Sequence, residues 1–188
     1  MSDAVVRRVV LVGMMCSGKS AVGAALAERL GWEQVDLDRE IERQAGRAIR
    51  DIFAADGEAA FRRMEAEATA RVAHRTDVVL TPGGGWITNP ALLDALGPGT
   101  LCVWLQVSPE EAVRRSASAP GERPLLAGAD PLAAVRRLLG ERERFYARAH
   151  LALSTDGRTV DALADEIHNV IRSRTGTPGP NAEIPAQD

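Results

Sequence analysis

Eight consecutive residues, Gly13-Met14-Met15-Cys16-Ser17-Gly18-Lys19-Ser20, fit the spacing G-x-x-x-x-G-K-[ST]. A glycine-bounded loop of this length turns its backbone amides inward, onto the oxygens of a phosphate, and a helix starting at its end adds partial positive charge. In such a loop Lys19 bridges the β- and γ-phosphates of a nucleoside triphosphate, the Ser20 hydroxyl ligates Mg²⁺, and Ala21 continues into the helix. Lys19 is the sole lysine among 23 Lys and Arg residues. An ammonium at this position therefore goes against the chain's own habit. The bland alternative is a glycine turn before a helix, and the strand that precedes the loop speaks against it. By itself the motif fixes only a triphosphate site.

A second pair of groups has chemical spacing. Asp36-Leu37-Asp38 is expected to end a strand, where the period of two sets both carboxylates on one face about 7 Å apart. One then faces Mg²⁺ and the other an acceptor hydroxyl. The alternative, an Asp capping a helix that starts near Arg39, accounts for one carboxylate but not two. The base-recognition element of GTP-binding switches, N-K-x-D, needs a lysine that this chain lacks outside the loop, and no apolar strand ending in Asp suggests a motor ATPase. A small-molecule kinase using ATP and Mg²⁺ remains. The net charge of −3 provides no broad basic surface, so nucleic acid is not an expected partner. No apolar run reaches the roughly 18 to 20 residues of a membrane span, and the start lacks a signal-peptide layout, so a cytoplasmic protein is expected. Cys16 and Cys102 lie too far apart in the chain for a C-x-x-C pair, and His74, His150 and His168 are scattered, so neither zinc nor a disulfide framework is indicated.

The elements that must position these groups read as alternating strands and helices. At 188 residues the chain suits one domain with a proper core. Val5 to Val12 is a β-branched run, interrupted by Arg7 and Arg8, that stops at Gly13; Lys19 to Leu30 has helical spacing ending at Gly31. Glu33 to Asp36 reads as strand, and Arg39 to Ala45 as polar helix. A helical turn near Ile49 to Phe53 closes at Asp56-Gly57, and Glu58 to His74 is amphipathic helix. Val78 to Leu80, Leu101 to Val107 and Leu151 to Ser154 are further strands. Asn89 to Leu96, Pro109 to about Arg115, Leu132 to Arg148 and Val160 to Arg172 are further helices. Residues 116–129 lack any period and read as a mobile loop; the proline-rich end, 175–188, reads as a disordered tail. This alternation predicts an α/β protein with a three-layer α/β/α arrangement around a five-stranded parallel sheet, a single domain over 1–174.

Taken together and in order, the loop, Asp36-Leu37-Asp38, the stretch from Asp51-Ile52-Phe53 through Gly57-Glu58 to Phe61-Arg62-Arg63-Met64-Glu65, Gly83-Gly84-Gly85, Arg123-Pro124-Leu125-Leu126 and Arg142 with Tyr146 resemble the shikimate kinase family, from about Val9 to Arg172. The resemblance implies a P-loop kinase fold with a substrate-binding segment at about 37–65 and a lid at about 116–129. It implies transfer of the γ-phosphoryl group of ATP to the 3-hydroxyl of shikimate. Carried over by position, it makes Asp36 a partner of Mg²⁺ and Asp38 the residue that holds the acceptor hydroxyl. Arg62 and Arg142 become the grip on the shikimate carboxylate, Gly83, Gly84 and Gly85 a close backbone approach to substrate, Arg123 a lid arginine at the transferring phosphates, and Arg115 the residue beside adenine. Phe53 and Phe61 are expected to wall the pocket, although core packing suits either one alone, and Glu65 to orient an arginine. Two departures stand out: Cys16-Ser17 where the family more often has Gly or Ala, with Ala21 for a common Thr, and Trp86 where it has a small residue. An indole there is expected to lie against the acceptor and leaves room for an amino-shikimate or another cyclitol. A gluconate-type kinase, which needs the loop but not the arginine set, and a non-catalytic nucleotide-binding regulator are the competing readings. The expected state is a monomer with a small-molecule substrate.

Overall fold

The computed structural model describes residues 5–118 and 130–175. Five parallel strands form one sheet in the order β2-β3-β1-β4-β5, with β1 at Arg8–Val12, β2 at Glu33–Asp36, β3 at Val78–Thr81, β4 at Thr100–Gln106 and β5 at Leu151–Ser154. The helices among the described residues are α1 (Lys19–Leu30), α2 (Leu37–Ala45), α3 (Ile49–Ala73), α4 (Pro90–Ala95), α5 (Pro109–Ser118), α6 (Pro131–Tyr146) and α7 (Val160–Thr175), with a 3₁₀ turn at Trp86–Thr88.

Alternation along β1 shows why three layers form. Val9 and Leu11 pack with Val22 and Leu26 of α1 and with Leu163 and Ile167 of α7 on one face. Val10 and Val12 pack with Ile52 and Phe61 of α3 and with Val135 and Leu138 of α6 on the other. A strand buried on both faces must be apolar throughout, which is why β1 reads as an unbroken apolar run, Val9 to Val12, once past Arg8. That arginine begins the strand: its guanidinium donates to the carbonyls of Arg75, Leu96 and Pro98. Residues 5–7, expected as strand, instead lie ahead of the sheet, with Arg7 N–H donating to Gly99 O.

Helix ends follow side-chain chemistry. Asn89 accepts from Ala91 N and Asp130 from Ala133 N, each followed by a proline in the first turn. The expected short helix and long helix follow each other within α3 and are separated where expected, at Gly57, whose φ of 77° and ψ of 173° lie outside helical space. Only a residue without a Cβ reaches that conformation readily. α5 runs to Ser118, so the first residues of the segment expected to be a mobile loop are helical. The remainder of that segment, with Arg123, lies outside the described residues, as does the tail beyond Thr175.

Candidate active site

The carboxyl ends of β1, β2 and β3 carry the groups the sequence singles out, as open α/β sheets dictate. After β1, the chain turns at Gly13, whose φ of +151° and whose packing both demand glycine: a Cβ there would stand 2.5 Å from Leu105 O and 2.8 Å from Ser17 Oγ. Ser17 itself is 1% exposed, and its hydroxyl has no hydrogen-bond partner among the described residues. Cys16 takes the left-handed conformation, φ 62°, where a glycine would sit more easily. Gly18, also left-handed, caps α1. Lys19 Nζ donates to Gly13 O and Met14 O, 2.9 Å each, so the ammonium lies over the loop that would wrap a phosphate.

The two carboxylates do not share a strand face. Asp36 is the N-cap of α2, its Oδ1 accepting from Arg39 N at 3.2 Å, and Asp38 stands in the first turn of that helix. The helix starts two residues earlier than expected because the orphan amides of its first turn find a cap in Asp36. The capping alternative thus describes Asp36 correctly and the strand-face geometry does not hold. Both groups nevertheless face the loop. Ser20 Oγ donates to Asp36 Oδ2 at 3.4 Å. Asp38 Oδ1 is buried with no hydrogen-bond partner among the described residues. Burial first, then the charges of Asp36 and Glu65, push the Asp38 carboxyl up to about 6, while Lys19 pulls it down.

The three glycines after β3 explain how these parts meet. Each is a close approach to a different group. A Cβ on Gly83 would lie 3.0 Å from both Asp38 carboxylate oxygens; on Gly84, 3.3 Å from Gly13 O and 3.6 Å from Arg142 Nη1; on Gly85, 3.0 Å from Arg62 Nη2. One backbone turn therefore borders the carboxylate, the phosphate loop and both arginines. Arg62 is held by Glu65 Oε2 at 2.7 Å and by Glu58 Oε1 at 3.0 and 3.2 Å. These bonds occupy Nε and one N–H on each terminal nitrogen, so one N–H on each remains for a ligand carboxylate. Glu65 has a side chain only 1% exposed; burial raises its pKa and Arg62 opposes that shift. Arg142 sits one turn before Tyr146, whose hydroxyl donates to Gly84 O at 2.8 Å and whose ring stacks on Trp104.

On the other side of the loop, a cavity of about 370 Å³ is lined by Cys16, Gly18, Arg115, Thr155 and Arg158, among others. Arg115 spans it, donating to Cys16 O, Thr155 Oγ1 and Thr155 O, with its Nε on Glu111 at 2.7 Å. Ion pairing with Arg114, then Arg115, holds Glu111 down to about 2. Thr155 and Glu111 escaped the sequence reading. Thr155 follows the carboxyl end of β5, a position that the topology marks as suitable for a site, whereas nothing in the local pattern marks Glu111.

Two expected pocket walls are corrected. Trp86 is fully buried, and its indole N–H donates to Thr69 Oγ1 at 2.9 Å, so the ring belongs to the core and presents no surface to an acceptor. Phe61, 5% exposed, is likewise core; it supports Phe53, 39% exposed, across a ring-centroid distance of 4.8 Å. Met14 is buried as well, so it can offer a phosphate only its backbone.

The shikimate kinase family model matches residues 15–172. A shikimate kinase of Symbiobacterium thermophilum is 44% identical over 168 residues, covering 88% of this chain and 97% of that one. One from Thermus thermophilus is 46% identical over 160 residues, covering 85% and 86%. Among solved structures, the shikimate kinase of Acinetobacter baumannii in complex with shikimate superposes with a TM-score of 0.80 at 35% identity, covering 89% of this chain and 94% of that one.

Proposed function

The chain belongs to the shikimate kinase family, an ATP-dependent phosphotransferase family with an alcohol acceptor, and we propose that it transfers the γ-phosphoryl group of ATP to the 3-hydroxyl of shikimate, releasing ADP. The observation that carries this is the turn at Gly83–Gly85, which borders the Asp38 carboxylate, the phosphate loop and the two arginines at once. A kinase for an uncharged polyol would have no use for two arginines flanking that turn. Trp86, the residue that left room for a different acceptor, has no exposed surface.

In this account Lys19 leaves the carbonyls of Gly13 and Met14 for the β- and γ-phosphates, while the amides of Met15 to Ser20 surround their oxygens. Ser20 Oγ and Asp36 would hold Mg²⁺. A hydroxyl and a carboxylate 3.4 Å apart suit an ion that takes only one or two protein oxygens, and no cluster of three metal-binding side chains occurs among the described residues. Charge on the phosphates would be neutralised by an ion held there. Asp38, with an uncommitted buried oxygen, accepts the acceptor hydroxyl's hydrogen bond and aims it in line with the γ-phosphorus. Arg62 and Arg142 hold the carboxylate at the far end of the ring, where a planar guanidinium matches it with paired hydrogen bonds. Arg115 borders the base, and Arg123, outside the described residues, supplies a lid arginine to the charge that develops in transfer. We take the enzyme to act as a cytoplasmic monomer.

A coupled ADP-release assay over a panel of acceptors tests the substrate. Shikimate should support turnover and gluconate should not. Turnover with gluconate or an amino-cyclitol and none with shikimate overturns the acceptor while leaving the kinase.

A further inference from the structure

Gly85 and Arg62 are joined by a closed circuit of contacts. Gly85 lies against the Arg62 guanidinium, with its would-be Cβ 3.0 Å from Nη2. Arg62 pairs with Glu65 at 2.7 Å. One helical turn on, Thr69 Oγ1 donates to Glu65 O at 2.7 Å and accepts the indole N–H of Trp86 at 2.9 Å. Trp86 is bonded covalently to Gly85, which completes the ring. All of the polar groups between the two ends are buried: Glu65 is 1% exposed, Thr69 and Trp86 are 0% exposed. Buried hydrogen bonds of this kind have no water to exchange with, so they hold their geometry.

We propose that Trp86 and Thr69 are a pair of positioning residues that set the spacing between the glycine turn and Arg62, and through it the affinity for the acceptor's carboxylate. The indole does this from inside the core without touching substrate. The buried indole also belongs to the core cluster that includes Ile52, Phe61 and Ala68 of α3, the helix that carries Arg62. Arg142 has a separate fastening, through Tyr146 to Gly84 O. The Trp86–Thr69 bond thus leads through Glu65 to the Arg62 arm of the grip. This inference rests on shikimate being the acceptor.

The test is a double-mutant cycle read on the Michaelis constants. Trp86→Phe keeps an aromatic ring and removes the N–H; Thr69→Val keeps the shape and removes the hydroxyl. Each should raise KM for shikimate about threefold to tenfold, the range of one buried hydrogen bond, with kcat and the ATP KM within about twofold. The double variant should be no worse than the poorer single, because both remove the same bond. Thr69→Ser, which restores the hydroxyl, should return KM toward that of the parent. An acceptor with a neutral amide in place of the carboxylate should show no difference between parent and variants. Unchanged shikimate KM, additive effects, or a parallel rise in the ATP KM overturns the proposal in favour of simple packing. A parent enzyme inert toward shikimate instead overturns the substrate, which separates the two failures. Thermal melts of each variant show whether it is folded; if Trp86→Phe is not, Thr69→Val and Thr69→Ser carry the test.

Discussion

Gly83 is packed against Asp38 so closely that a methyl group on it would stand 3.0 Å from both carboxylate oxygens. The contact makes the absence of a side chain at residue 83 part of how Asp38 is aimed. Gly83→Ala should therefore shift Asp38 off line and lower kcat about tenfold to a hundredfold, the scale of an ångström-sized misplacement. ATP binding, measured by calorimetry, should be kept. A variant with full kcat would show that the carboxylate tolerates displacement and that Gly83 serves only the turn.

The acid limb of activity should report Asp38. Its carboxyl is pushed up to about 6, chiefly by burial, so kcat/KM should fall as the pH drops through that value. Stability should change in the opposite sense. The fold penalises the ionised form, so the folded state escapes the penalty below the ordinary carboxylate value of 3.8 and bears it in full above about 6. Asp38→Asn should thus melt higher than the parent at pH 8, lose that margin toward pH 4, and turn over very slowly at both. A parent profile flat between pH 5 and 8 would remove Asp38 from the chemistry.

Lys19→Met should lower turnover by at least about a hundredfold, as removal of a preorganised charge at the phosphates does. The ammonium donates to two loop carbonyls, Gly13 O and Met14 O, at 2.9 Å each, so the circular-dichroism melt should move little. Near-normal turnover would refute the phosphate loop.

Arg62→Ala and Arg142→Ala should each raise the shikimate KM about tenfold to a hundredfold, the value of a lost charge-assisted hydrogen bond, while the ATP KM stays put. Their stabilities should differ. Removing Arg62 leaves the Glu65 carboxylate, 1% exposed, without its ion pair, so Arg62→Ala should melt lower than Arg142→Ala. Equal melts with equal KM shifts would mean that Glu65 does not depend on Arg62.

The sheet and the phosphate loop were legible because they depend on local signals: β-branched runs, helical spacing and a glycine-bounded motif. The carboxylate pair was legible in type but not in geometry. A period of two and a helix cap compete for Asp36, and the amide of Arg39 decides the contest through a bond that composition does not reveal. Trp86 misled for a similar reason. Its partner Thr69 lies 17 residues upstream on another helix, and an indole beside three glycines reads as a pocket wall until that bond is seen. Thr155 was invisible because its role comes from the end of a strand rather than from its neighbours in sequence. Arg62 and Arg142 stand out in the sequence only through the order of motifs, since an arginine on a helix is usually a solvated surface residue; the fold sets both beside Gly84 and Gly85.

In the proposed reaction Asp38 directs one hydroxyl of one acceptor onto the γ-phosphorus. The most direct measurement is a proton–phosphorus correlation spectrum of the products formed from ATP and shikimate. A single phosphomonoester, its phosphorus coupled to the proton on ring carbon 3, with ADP released one for one, is the expected result. An ester at another hydroxyl, or ADP accompanied only by inorganic phosphate, would contradict the account.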